Sequence, residues 1–219
     1  MSADSELRAG RIAGELADEF PDLALTYCQV AAPPRGFRSR STPAVKERLR
    51  GLSNRFTGGR AVNFRKEEVP AAYRIFSRQI GLDPDTHPTP PEELLLQRMR
   101  LGEFHSKGKL VDALIVGAAE TSVALIAFDP AALDGPPGLR LAGSNETLGG
   151  GEQDFPLVDR QIVIADDRRA LGILFGTLAD GLEPTKESES VLIAAISVKG
   201  VPSFTVAEAL WNVQQALNA

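Results

Sequence analysis

Between residues 122 and 198 the chain carries five short apolar runs, "SVALIAFD", "GLRLAG", "RQIVIADD", "ALGILFGT" and "SVLIAAISV", each cut off by Gly, Pro or polar turn residues. Runs of this length and composition, bounded by turn formers, predict strands of one or two sheets. The preceding stretch has a different period. "TPAVKERLRGL" places Thr42 as N-cap and Pro43 at the first helical position, and "PAAYRIFSRQI" opens at Pro70 and closes at Gly81. "PPEELLLQRMRL" is capped by Thr89 and closed by Gly102. These are helix start and stop signals. At the N-terminus, Leu7, Ile12, Leu16 and Phe20 share one helical face, and "LALTYCQV" predicts a strand over 23–30. The closing stretch "TVAEALWNVQQAL" predicts a helix in which Thr205 and Glu208 form a capping box. Helices first, then strands, then a final helix give an α+β fold with helices layered on a sheet or sandwich. "DPDTHPTPP" reads as a rigid linker, "EPTKESES" as a hairpin loop, and "GSNETLGGGEQDFP" as a long glycine-rich loop that could cover a pocket.

A chain of 219 residues is long enough to bury a substantial core. The lone cysteine, Cys28, excludes an internal disulfide and a Cys-based metal site, and it is expected to be a core thiol. The two histidines, His87 and His105, are not at metal-ligand spacing from another His or Cys, so no metal is expected. No nucleophile elbow is present, and the glycines at 149–151 are not followed by the GK[ST] of a phosphate loop. No cofactor is expected. The opening "MSADSELRAGRIAGELADEF" lacks signal-peptide character and no apolar run is long enough to span a bilayer, so the expected location is the cytoplasm, away from membranes.

The net charge of −5 hides a strong asymmetry. Between residues 35 and 66 stand ten basic residues, among them Arg35, Arg38, Arg40, Lys46, Arg48 and Arg50, against the single acid Glu47. That segment carries +9, and the remainder of the chain therefore carries −14. An arginine-rich patch on an acidic body has the charge footprint of a phosphate-backbone partner; a solvated arm balancing acidic neighbours would have the same composition.

The order of the motifs carries a further signal. "AAYRIFSRQIGLDPDTHPTPPEELLLQR" leads into "KLVDALI", then "VALIAFDPAALDG", "LRLA", "IVIADD" and "GLEPTKESESVLI". This succession resembles the editing (B-three/four, tRNA-binding) domain of the phenylalanyl-tRNA synthetase beta subunit, and most of all a free-standing form of it. The resemblance covers residues 69–201. It implies a three-layer ββα sandwich with a central pocket, here with N-terminal helices and a C-terminal helix. Residues 1–68 form a lead-in with the basic segment, residues 69–219 the editing-domain-like core, and the two are expected to fold as one unit. It also implies metal-free ester hydrolysis, with residues that position a water. Four positions depart from the family pattern: Ile126 stands where the synthetase has a His, Leu114 and Ile115 where it has Thr-Asn, and Ala194 where it has the Glu that reads a tyrosine hydroxyl.

Those departures turn a polar pocket apolar. A tyrosine hydroxyl without its partner would cost about 1–3 kcal/mol, so the expected substrate has an aliphatic or otherwise differently shaped side chain. Leu114, Ile126, Ala194, Glu146 and Arg140 are the expected substrate-binding residues, and Asp112, Thr185 and Asn145 the expected catalytic ones. Asp112 lies in an apolar run and needs a partner; Lys109 and Arg140 are the expected ones, with a substrate ammonium as an alternative. Asp129 is expected to cap the turn "PAALDG". Arg74 joins the basic segment as a candidate RNA contact, with a surface ion pair as its alternative. Three functions follow: a trans-editing deacylase for misacylated tRNA, a non-catalytic tRNA- or RNA-binding module, and a small-molecule (amino-acid) binding protein. The expected partner is aminoacylated tRNA rather than DNA.

Overall fold

The structure, a computed structural model, describes residues 6–148 and 155–219. Along the chain run β1 (Arg8–Ala9), α1 (Gly14–Glu19), β2 (Ala24–Ala31), α2 (Pro43–Arg55), α3 (Gly58–Asn63), α4 (Glu68–Gln79), α5 (Pro90–Leu101) and α6 (Lys109–Thr121). Then follow β3 (Ala124–Phe128), β4 (Gly138–Leu141), β5 (Thr147–Leu148), β6 (Phe155–Pro156), β7 (Ile162–Ala165), β8 (Ala170–Ile173), β9 (Ser190–Ser197) and α7 (Ser203–Asn218). The first sheet has the order β1-β2-β9-β3 and the second β4-β7-β8, with every pairing antiparallel.

Side-chain alternation in β2 and β9 fixes the layers. Leu25, Tyr27, Leu192, Ala194 and Ile196 face the second sheet and pack with Leu139, Val163, Ile164 and Leu171. Cys28, Val30, Val191, Ile193 and Ala195 face the other way, onto α2, α6 and α7. The order of layers is sheet, sheet, helices. β9 pairs with β2 from Ala24↔Ser197 to Ala31↔Ser190 and with β3 from Ala124↔Ile196 to Phe128↔Leu192. It is buried on both faces, which is why "VLIAAI" is an unbroken apolar run. Cys28 is a core thiol whose Sγ accepts a hydrogen bond from Gln214, and burial pushes its pKa up. α6 and α7 meet at Gly117. A Cβ there would lie 2.5 Å from Val213 Cγ2 and 2.9 Å from the Ala209 carbonyl oxygen, so the backbone approach requires glycine.

The predicted caps of the middle helices are present. The Thr42 hydroxyl accepts from the Val45 amide, Thr89 and Glu92 form a capping box, and Gly81 and Gly102 close their helices with φ of +79° and +82°. α4 begins two residues before Pro70. Three segments differ from expectation. The N-terminal helix is confined to α1, because Arg8 and Ala9 pair with Tyr27 and Thr26 on the open edge of β2. The Gly10 amide extends that pairing to the Leu25 carbonyl at 2.7 Å. α7 begins at Ser203, and the amides of Thr205 and Val206 bond to the Pro202 carbonyl, so Thr205 lies within the first turn and is not a cap. The loop over 183–190 is not a hairpin, because it joins β8 of the second sheet to β9 of the first.

Candidate functional site

A cavity of about 690 Å³ opens where α5 and α6 meet β3 and the second sheet. Leu114 and Ala118 from α6, Ile126 from β3, Ile164 and Ile173 from the second sheet, and Phe175 form aliphatic and aromatic walls. Ala194 is the register partner of Ile126, fully buried beside it. All the polar lining residues, Thr86, His87, Glu93 and Gln97, come from α5 and the turn before it. A mostly apolar cleft with a few polar groups gathered on one side is the usual form of a small-ligand site.

That turn is tightly determined. The Asp83 carbonyl accepts from the amides of Thr86 (3.1 Å) and His87 (2.8 Å), and its carboxylate accepts from the Asp85 amide. Pro88 and the Thr89 capping box then start α5. "DPDTHPTPP" is thus a rim of the cavity as well as a linker. A second cavity of about 420 Å³ adjoins the first and shares His87, Ile173, Phe175 and Gly176 with it. Its own polar groups are Glu19, Gln79, Arg160 and Gln161. Phe175 stands between the cavities at φ +59°, a left-handed conformation unfavourable for a bulky residue, and packs edge-on against Tyr73 and Phe76.

Leu114 and Ile126 line the larger cavity; the expected catalytic residues do not. Asp112 is fully buried in the first turn of α6. Its carboxylate accepts from the hydroxyls of Ser41 (2.6 Å) and Ser106 (2.5 Å) and from the Lys107 amide (2.7 Å). The loop at 37–41 covers the start of this helix, the carbonyls of Ser39 and Phe37 accepting from the amides of Lys109 and Leu110. Asp112 therefore joins this loop to α6, and hydroxyls and an amide stand where Lys109 or Arg140 was expected. Thr185 is exposed and belongs to a loop network. Its amide donates to the Ser188 hydroxyl, which donates to Asp129, and Asp129 also accepts from the Ala131 amide and so caps the turn as expected. Asn145 is exposed at φ +62° in the turn before β5. Beside it, Arg140 and Glu146 form a bidentate ion pair, and Glu146 also accepts from the Gly143 amide. The Arg140 guanidinium holds the Glu146 carboxyl below its ordinary value.

The basic residues divide by environment. Arg35, Arg40 and Lys46 are exposed and make no ion pair among the described residues, and Arg38 donates only to the Pro184 carbonyl. Arg48 is held by Glu120 and Asn212, and Arg50 by Glu47. Arg74 is buried and committed to Glu92 (2.7 Å), Asp85 (2.6 Å) and the Pro84 carbonyl; it forms an ion pair, but a buried one rather than the surface pair expected, and its burial withdraws it from phosphate. Among the described residues no group of three His, Cys, Asp or Glu side chains converges as a metal site, and no helix is long and apolar enough to cross a membrane.

The fold and the cavity define an α+β domain of two stacked antiparallel sheets and a helical layer, with an apolar cleft between the layers. No protein-family model matches the sequence, and no curated protein matches it. Among solved structures it is similar to an N-terminal fragment of the phenylalanyl-tRNA synthetase beta-subunit from Pyrococcus horikoshii, at 14% identity and a TM-score of 0.45. That alignment covers 99% of this chain and 51% of the fragment, so the chain spans about half of that neighbour's length. His87 and Phe175 are cavity residues that sequence reasoning missed. A His bracketed by prolines and a Phe-Gly turn at the tip of an apolar run were the available signals.

Proposed function

We propose that this chain is an aminoacyl-tRNA deacylase that acts in trans, hydrolysing the ester between tRNA and an apolar amino acid. The observation that carries this reading is the apolar cavity walled by Leu114 and Ile126, two positions at which the motif resemblance calls for polar pocket residues. With aliphatic side chains there, and Ala194 behind them, the cavity suits a side chain without a hydroxyl. A buried hydroxyl left unpaired would cost about 1–3 kcal/mol, or roughly a ten- to hundredfold preference against tyrosine. An aminoacyl ester is already activated, so a held water and a stabilised oxyanion suffice for hydrolysis. Arg35, Arg40 and Lys46, exposed and without an ion pair among the described residues, offer contacts for an RNA backbone.

The test is release of labelled amino acid from a panel of mischarged tRNAs carrying small, β-branched, aliphatic and aromatic residues. Faster release of an aliphatic amino acid than of tyrosine is expected. No acceleration for any member overturns the reading. A second reading, a non-catalytic tRNA-binding module, is favoured by one observation: Asp112, Thr185 and Asn145 are engaged or placed outside the cavity. Salt-sensitive tRNA binding without turnover would mark it.

A further inference from the structure

We propose that His87 is the catalytic base of this site, and that the two cavities it separates hold the two halves of one aminoacyl nucleoside. The amino-acid side chain occupies the apolar cavity and the terminal nucleoside the smaller, polar one. The proposal rests on the deacylase reading and names the residue that reading lacks.

Four residues line both cavities: His87, Ile173, Phe175 and Gly176. Only His87 among them carries a side chain that can accept a proton. The Thr86 hydroxyl lies 3.0 Å from His87 Nδ1, 3.1 Å from the Asp83 carbonyl and 3.4 Å from the Asp83 carboxylate. In this proposal its single hydrogen goes to Asp83, and the hydroxyl accepts from Nδ1–H. With the proton on Nδ1, Nε2 carries the lone pair, and it has no hydrogen-bond partner among the described residues. The turn that carries His87 is fixed by both Asp83 bonds and by Pro88, and the exposed ring is held to it by the Thr86 hydroxyl.

The cavities differ as the two halves of the substrate differ. The larger has aliphatic walls, whereas the smaller offers Gln79, Arg160, Gln161 and Glu19 as hydrogen-bonding groups and Phe20 as an aromatic one. Among the described residues only four non-glycine residues have positive φ, and two of them, Arg160 and Phe175, line the smaller cavity. A ligand spanning both cavities places its ester at their junction, beside His87. There Nε2 takes a proton from water as the water oxygen bonds to the ester carbonyl carbon. The tetrahedral intermediate then expels the ribose oxygen, which takes that proton back. The products are the free amino acid and the nucleoside hydroxyl, with no other reactant consumed.

The experiment uses the full chain and an adenosine whose 3′ position carries a leucyl amide in place of the ester. Calorimetry gives its affinity, and the imidazole resonances are followed by NMR. Because the chain has two histidines, a H87Q spectrum assigns both. The analogue is expected to bind and to move the His87 signals while those of His105 stay in place. R160N, which keeps a residue tolerant of positive φ, is expected to weaken the analogue but not leucinamide. H87Q is expected to bind the analogue within about threefold of the wild type and to slow single-turnover deacylation by about a hundredfold or more. An analogue that fails to bind, or binds without moving His87, overturns the two-part site. H87Q as active as an active wild type overturns the base role alone. A wild type that binds the analogue at His87 yet releases no amino acid overturns the deacylase reading and the base role together.

Discussion

Replacing Asp112 by Ala should destabilise the protein by about 2–4 kcal/mol. The carboxylate accepts three hydrogen bonds, from Ser41, Ser106 and Lys107, in a position with no solvent exposure. Each buried donor left unpaired costs about 1–3 kcal/mol. Ser106 and Lys107 are exposed residues whose bonds to Asp112 are only partly buried, so water can reach both donors, but the buried Ser41 hydroxyl has nowhere to turn. The Ser41 hydroxyl sets most of the loss, and the missing charge at the start of α6 adds up to about 1 kcal/mol through the helix dipole. Asp112→Asn keeps the shape and one acceptor for the Lys107 amide, and its NH₂ can donate to the serine oxygens. It should therefore cost only about 1–2 kcal/mol. Urea unfolding at neutral pH measures both, with unchanged slopes showing that the unfolded states are comparable. An Ala variant within about 1 kcal/mol of the wild type, or an Asn variant worse than the Ala one, refutes this account. An Asn variant of wild-type stability that loses deacylation would instead return Asp112 to the catalytic machinery.

Arg74→Met leaves the buried Glu92 carboxylate with Thr89 and only the more distant, exposed Arg65 (4.0 Å) as a cation, and a loss of about 3 kcal/mol is expected in the same urea experiment. Replacing Arg35, Arg40 and Lys46 together by Ala should make the slope of log affinity for tRNA against log salt shallower by about two units. An unchanged slope would remove this segment from the RNA interface. Glu146 is held below its ordinary value by Arg140, so the stability from this pair is present above about pH 4.5 and is lost as pH falls through the lowered value of the folded state. Between about pH 6 and about pH 3, wild-type stability should therefore fall more steeply than that of Glu146→Gln, and equal slopes would refute the coupling.

What could be read from the sequence was mostly local. Thr42, Thr89, Gly81 and Gly102 act on backbone groups within a few residues, so their chemistry is written beside the helices they bound. The N-terminal error had the opposite origin. Leu7, Ile12 and Leu16 match a helical period, but Ile12 bridges Leu139 and only Leu16 lies in a helix, because the edge of β2 captures the chain before it. The candidate site divides in the same way. Asp112 was conspicuous as a costly carboxylate, yet what satisfies it includes Ser41, 71 residues away, which no local pattern reveals. Thr185 and Glu146 were chosen for chemistry and are instead occupied in holding loops to strands. The cavity that opens between the layers takes its walls from alternating apolar positions and its polar groups from a proline-bracketed turn. Any reaction in that cavity must draw its proton transfer from that turn and the start of α5, where His87 and Glu93 stand, because the walls contribute only carbon.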